Sequence, residues 1–202
     1  MYDKPITYNH QKAHRFTMWL SIASISMAFA GLTSAYIVRK SAGQWVDFSM
    51  PAQFLTSTVL ILISSVTIHA AHVANKKGNI FLLVSGLIST VILGLLFCWF
   101  QYSGWQSLTN SGIYLDGNPS GSFFYVITGM HLVHLAGGVF FLFYAFIRTL
   151  WKFVYKAEQS TYMDGEEKSR LWIRTDLLTM YWHFMDFLWI YLFVFLSLNL
   201  NH

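Results

Sequence analysis

Five stretches of this chain carry almost no charge, and polar turns separate them. Residues 16–38, 54–73, 80–102 and 122–147 contain no Asp, Glu, Lys or Arg, and residues 177–198 contain only Asp186. A bilayer core of about 30 Å is crossed by roughly 20 apolar residues in a helix. Backbone N–H and C=O groups have no water to bond there, so each block must satisfy its own hydrogen bonds as a helix. The blocks are too long and too uniformly apolar for barrel strands, which alternate. The pattern predicts an all-α integral membrane protein, a bundle of five transmembrane helices at about residues 16–38, 54–74, 80–102, 122–150 and 176–200. Residues 1–202 read as a single membrane domain. The first block is longer than a signal-peptide core and is followed by Arg39 and Lys40, so it reads as a retained helix.

Composition agrees with this pattern. The chain is 55% hydrophobic and 11% charged, against about a quarter charged in soluble domains. The net charge of +4 is not a nucleic-acid signal, because its placement follows the helices. Of the 13 lysines and arginines, three precede the first helix, two lie between the second and third, and six lie between the fourth and fifth. Only Arg39 and Lys40 fall on the other side. By the positive-inside rule the N-terminus is cytoplasmic and the C-terminus outside. The stretch 155–174, with its mixed charges, reads as a cytoplasmic connector, and 103–121 reads as an outer loop. The single cysteine, Cys98, lies within the third block and has no internal partner.

Small residues mark two helices as packing surfaces. Ser24, Ala28, Gly31 and Ala35 form a stripe on the first, and Gly129, Ala136, Gly137 and Gly138 lie on the fourth. In lipid, close backbone approach drives helix association. The stripes do not say whether the partner is internal or another chain.

The candidate chemistry lies in ionisable residues inside the spans, which are costly and imply a role. They are His69, His72, His131, His134, His183 and Asp186. Each of His69/His72, His131/His134 and His183/Asp186 is spaced i, i+3 and shares a helix face. Five histidines could supply axial ligands to a haem, which would make the chain a haem b membrane anchor. They could equally hydrogen-bond to one another, to backbone or to lipid. His183 and Asp186 are expected to pair one turn apart. No nucleotide-binding, zinc or nucleophile motif occurs, and no residue reads as catalytic or metal-ligating.

Two segments resemble subunit III of the haem–copper cytochrome c oxidases. GSFFYVITGMHLVHLAGG at 121–138 resembles the family's FFxxTGxHxxHxxxG helix, and YWHFMDFLWIYLF at 181–193 its final helix, YWHFVDxVWxxLF. TSTVLILISS at 56–65 and LGLLFCWFQ at 93–101 are similar to NTxxLLxSS and LGxxFxxxQ. The resemblance is to the short bacterial form, without the first two helices of the seven-helix version. It implies a non-catalytic core subunit of a proton-pumping oxidase in the bacterial cytoplasmic (inner) membrane. Such a subunit packs on subunit I, with subunit II and possible small subunits or a respiratory supercomplex nearby. It binds phospholipid and supports proton uptake and turnover stability. Haem a, haem a3 and copper belong to partner subunits. The positions the resemblance marks as lipid-contacting or structural polar residues are His131, His134, Arg148, Lys152, Trp182, His183 and Asp186. A quinol-oxidase subunit III is indistinguishable at this level. Ile25 and Ser103 stand where the family usually has acidic residues, so no role of those carboxylates carries over.

Overall fold

The computed structural model describes residues 5–43, 45–157 and 165–200, with the side chains of 12–43, 45–151 and 171–200. It contains five helices, α1 (Pro5–Ser41), α2 (Ala52–Lys76), α3 (Ile80–Asn110), α4 (Pro119–Ala157) and α5 (Gly165–Leu200), and no strand among the described residues. All five are long and apolar enough to cross a membrane.

Every helix runs past the apolar block that predicts it. At 1.5 Å per residue, the 37 residues of α1 extend about 55 Å, well beyond a 30 Å core. Outside the core a helix continues until a breaker or cap stops it. The stretch read as an outer loop, 103–121, is therefore mostly helix. Gly104 and Trp105 pack inside the bundle and carry α3 on to Asn110. The 155–174 connector is likewise helical from Gly165 onward, and residues 158–164 lie outside the described set.

The ends have identifiable causes. Gly78 adopts φ 72°, and the Gly78 and Asn79 amides donate back to Asn75 and Ala74 at 3.1 and 3.0 Å. That is a Schellman C-cap, and it requires the left-handed conformation glycine takes freely. The Asn79 side chain then accepts from the Leu82 amide and caps α3. Asn118 accepts from the Ser120 amide and hydroxyl, and Pro119 occupies the first turn of α4.

α2, α3, α4 and α5 form a closed ring, each packing on the next and α5 returning to α2, while α1 rests on α4 and α5. The core is aromatic. Trp182, Trp189, Phe54, Phe97 and Phe124 are fully buried. Phe54 meets Phe124 edge-on at 5.1 Å, and Phe97 meets Trp189 likewise at 5.1 Å, geometries that suit the ring quadrupoles.

Close approach depends on three α3 glycines that the sequence pattern did not single out. A Cβ at Gly86 would lie 2.8 Å from the Ala71 Cβ and 3.1 Å from the Thr67 carbonyl oxygen. At Gly94 it would meet Trp182, and at Gly104 the Phe54 ring. On α4, Gly138 receives Tyr181, whereas Gly137 faces open space. The α1 stripe of Ser24, Ala28, Gly31 and Ala35 is exposed. Gly86→Val is expected to push α2 from α3 and destabilise the bundle by about 1–3 kcal/mol, the usual cost of overpacking. Gly31→Val, at an open site, is expected to leave the thermal unfolding midpoint unchanged, and a melting comparison of the two variants in detergent checks this.

Candidate functional site

The polar side chains within the spans fall into three groups, each set by a helix seam. The first is the α2–α5 seam, where hydroxyls of α2 receive indole donors of α5. Trp182 Nε1 donates to Ser64 Oγ at 3.0 Å and Trp189 Nε1 to Thr58 Oγ1 at 2.9 Å. Asn75 Nδ2 donates to Thr175 Oγ1 at 2.7 Å. Serine and threonine can do this in a span because their hydroxyls also bond the carbonyl a turn back, as Thr58 does to Phe54.

His183 lies on this seam with two polar neighbours, Ser65 of α2 and the expected Asp186 one turn along α5. Nδ1 shares a 2.7 Å hydrogen bond with the Ser65 hydroxyl. The Asp186 carboxyl stands 3.9 Å away, too far for a hydrogen bond, and neither of its buried oxygens has one. A hydroxyl on the neighbouring helix reaches the imidazole more directly than a carboxyl one turn along the same helix. Asp186 keeps His183 and Ser65 as its polar surroundings. Nearer the basic end, Asp176 takes Arg15 at 2.6 Å, and His72 stands 3.9 Å from its other oxygen. Arg15 also lies over the Trp172 ring at 5.5 Å, so this cluster ties α1 to α5.

The second group surrounds His131, which is fully buried in the ring's interior. Trp189, Phe97 and Phe29 surround it at centroid distances of 5.1, 6.0 and 6.4 Å. Neither ring nitrogen has a hydrogen-bond partner. The contacts the structure gives this imidazole are with those three rings. Among the described residues, no group of three or more His, Cys, Asp or Glu side chains is placed to hold a metal ion.

The third group lines a cavity of about 770 Å³ between α1, α4 and α5. Its walls are largely apolar, with Met18 from α1, Val133 and Phe141 from α4, and Leu178 from α5. His134 lies on the wall, its Nδ1–H donating to the Met130 carbonyl at 2.7 Å. Arg148 and Arg174 stand at the basic end, Arg148 donating to the Tyr144 hydroxyl at 3.0 Å. From His134 to Arg148 α4 rises about 21 Å, so the cavity is long, greasy along most of its length and cationic at one end.

The structure thus brings His134 and Arg148 to one cavity, and Trp182, His183 and Asp186 to the α2–α5 seam. His131 is in the core. Lys152 lies on α4, and its side chain is outside the described residues. Sequence reasoning did not single out Arg174 and Tyr181 as cavity residues. Arg174 was visible as the last basic residue of the connector, but its alignment with Arg148 depends on how α4 meets α5.

Comparison with known proteins identifies the chain. The family model for cytochrome c oxidase subunit III matches residues 5–199. The chain is similar to the "Probable cytochrome c oxidase subunit 3" of Mycobacterium bovis (strain ATCC BAA-935 / AF2122/97), at 28% identity over 182 residues, 87% of this chain and 82% of the relative. It is similar to the "Cytochrome c oxidase subunit 3" of Schizophyllum commune, at 31% identity over 147 residues, 73% of this chain and 48% of the relative. It also resembles part of the "Heme-copper oxidase subunit I+III" of Aeropyrum pernix, at 27% identity over 62% of this chain and 17% of the relative. With a match that spans all five helices, the chain belongs to the cytochrome c oxidase subunit III family of the haem–copper oxidases.

Proposed function

We propose that this chain is a non-catalytic core subunit of a proton-pumping terminal oxidase in the bacterial inner membrane, where it packs on the catalytic subunit I. The whole-length family match carries this reading. The fused relative from Aeropyrum pernix, named for subunits I and III together, supports the pairing. The charge asymmetry supports a cytoplasmic N-terminus. In this role the haems and copper sit in partner subunits, and the chain maintains proton uptake and working lifetime.

The cavity between α1, α4 and α5 holds phospholipid. Its apolar walls suit acyl chains, and the exposed guanidinium groups of Arg148 and Arg174 suit an anionic head group at the cytoplasmic interface. Near a membrane surface each basic residue contributes roughly 1 kcal/mol to such an attraction. Arg148→Leu with Arg174→Leu is therefore expected to reduce the anionic phospholipid co-purifying with the oxidase by roughly thirtyfold, measured by lipid mass spectrometry. Unchanged lipid would remove the cavity from the account.

The functional reading is tested by preparing the oxidase without this chain. Initial oxygen reduction is expected to persist while the number of turnovers before inactivation falls. Immediate and complete loss of activity in an intact subunit I–II complex would contradict it.

A further inference from the structure

The α2–α5 seam also has an outer side, and the bundle's own bonds leave polar groups on it unused. His69 is exposed on α2, and the His183 side chain on α5 is 38% exposed. Their ring centroids are 6.0 Å apart. His183 bonds Ser65 through Nδ1 alone, and His69 makes no hydrogen bond among the described residues. Behind them lies Asp186, whose two buried oxygens have no hydrogen-bond donor.

These imidazoles lie inward of the charged ends of their helices. His69 precedes Lys76 by seven residues and His183 follows Asp176 by seven, which places each about 10 Å into the span from the basic end. Polar side chains held against acyl chains at such depth are costly, and they normally face protein or a water-filled cavity. His134, a half-buried imidazole within a span, has both remedies, because its Nδ1–H bonds its own helix and it lines the cavity. His183 has only its bond to Ser65, and His69 has neither among the described residues.

On α2 the residues Leu55, Val59, Leu62, Val66 and His69 are all exposed and alternate at spacings of four and three. On α5 His183, Phe187, Ile190 and Val194 repeat the same alternation. Such alternation is that of any helix face left outside a bundle, and α3 shows it at Ile92, Leu95, Trp99 and Tyr102; what sets these two stripes apart is the histidine pair. The two stripes lie on adjoining helices and meet at the histidine pair. The exposed faces of α3 and α4 carry Phe81, Trp99, Val133 and Phe140, apolar and aromatic surface suited to lipid.

We propose that the α2–α5 seam is the docking face for a transmembrane helix of the catalytic subunit, one that presents a hydrogen-bonding side chain to His69 and His183. This rests on the reading that the chain packs on that subunit, and it names the surface. The partner's polar group completes the hydrogen bonding of the imidazoles, and its apolar residues cover the stripes.

The test places a benzophenone amino acid at Val66 or Phe187 in the complete oxidase, with Phe81 and Phe140 as comparison positions, and identifies the adducts after irradiation in the native membrane. Adducts with subunit I from Val66 and Phe187, but not from Phe81 or Phe140, are expected. Subunit I adducts from Phe81 or Phe140 alone would overturn the proposal while leaving the pairing of subunits intact, and so would lipid-only adducts at Val66 and Phe187. A purified oxidase from which this chain is absent would overturn both the proposal and the reading beneath it. His69→Leu supplies a second measurement, because leucine is harmless toward lipid but removes a bond to protein. It is expected to speed detergent-induced loss of the chain from the complex about threefold, the size of an average interhelical hydrogen bond in a membrane. An unchanged rate would count against the proposal.

Discussion

The structure depends on hydrogen bonds from the indoles of α5 to the hydroxyls of α2. In water, burying Trp182 and Trp189 would be driven by the hydrophobic effect. In lipid that drive between helices is absent, and an indole N–H facing hydrocarbon is left unsatisfied. Ser64 and Thr58 satisfy both donors, at 3.0 and 2.9 Å. With the indoles fixed, the ring planes follow. Trp189 sets Phe97 and His131, and Trp182 fills the space left by Gly94. The ring of four helices closes through this seam.

Two kinds of surface result. Where the ring closes tightly, polar side chains inside the spans are used in packing, as with His131 among its three aromatic neighbours. Where α1 rests on α4 and α5, closure is incomplete and a long apolar cavity remains, ending at Arg148 and Arg174. One side of the bundle is thus tightly packed, and the other holds a long apolar cavity.

Much of this was legible in the sequence. The five helices came from charge-free blocks, and the serine-threonine run on α2 and the YWHFMDFLW segment on α5 stood out as resembling the family's helices, though not as partners in one seam. What the sequence could not supply was pairing between helices. His183 bonds Ser65 rather than Asp186, because the nearest hydroxyl comes from a different helix. The glycines of α3 looked like ordinary membrane glycines until Ala71, Trp182 and Phe54 were placed against them. Helix ends were underestimated because polar residues stop a hydropathy signal without stopping a helix. The α1 stripe of small residues, read as a packing surface, is exposed among the described residues.

The central claim is that the in-span histidines act in packing and assembly and bind no redox centre. It is tested most directly by the optical spectrum and copper content of oxidase complexes assembled with His69, His72, His131, His134 or His183 replaced one at a time. The account predicts the same haem bands and copper per catalytic subunit in every complex that still assembles. Loss of a haem band or of copper from an assembled complex carrying a single replacement would contradict it.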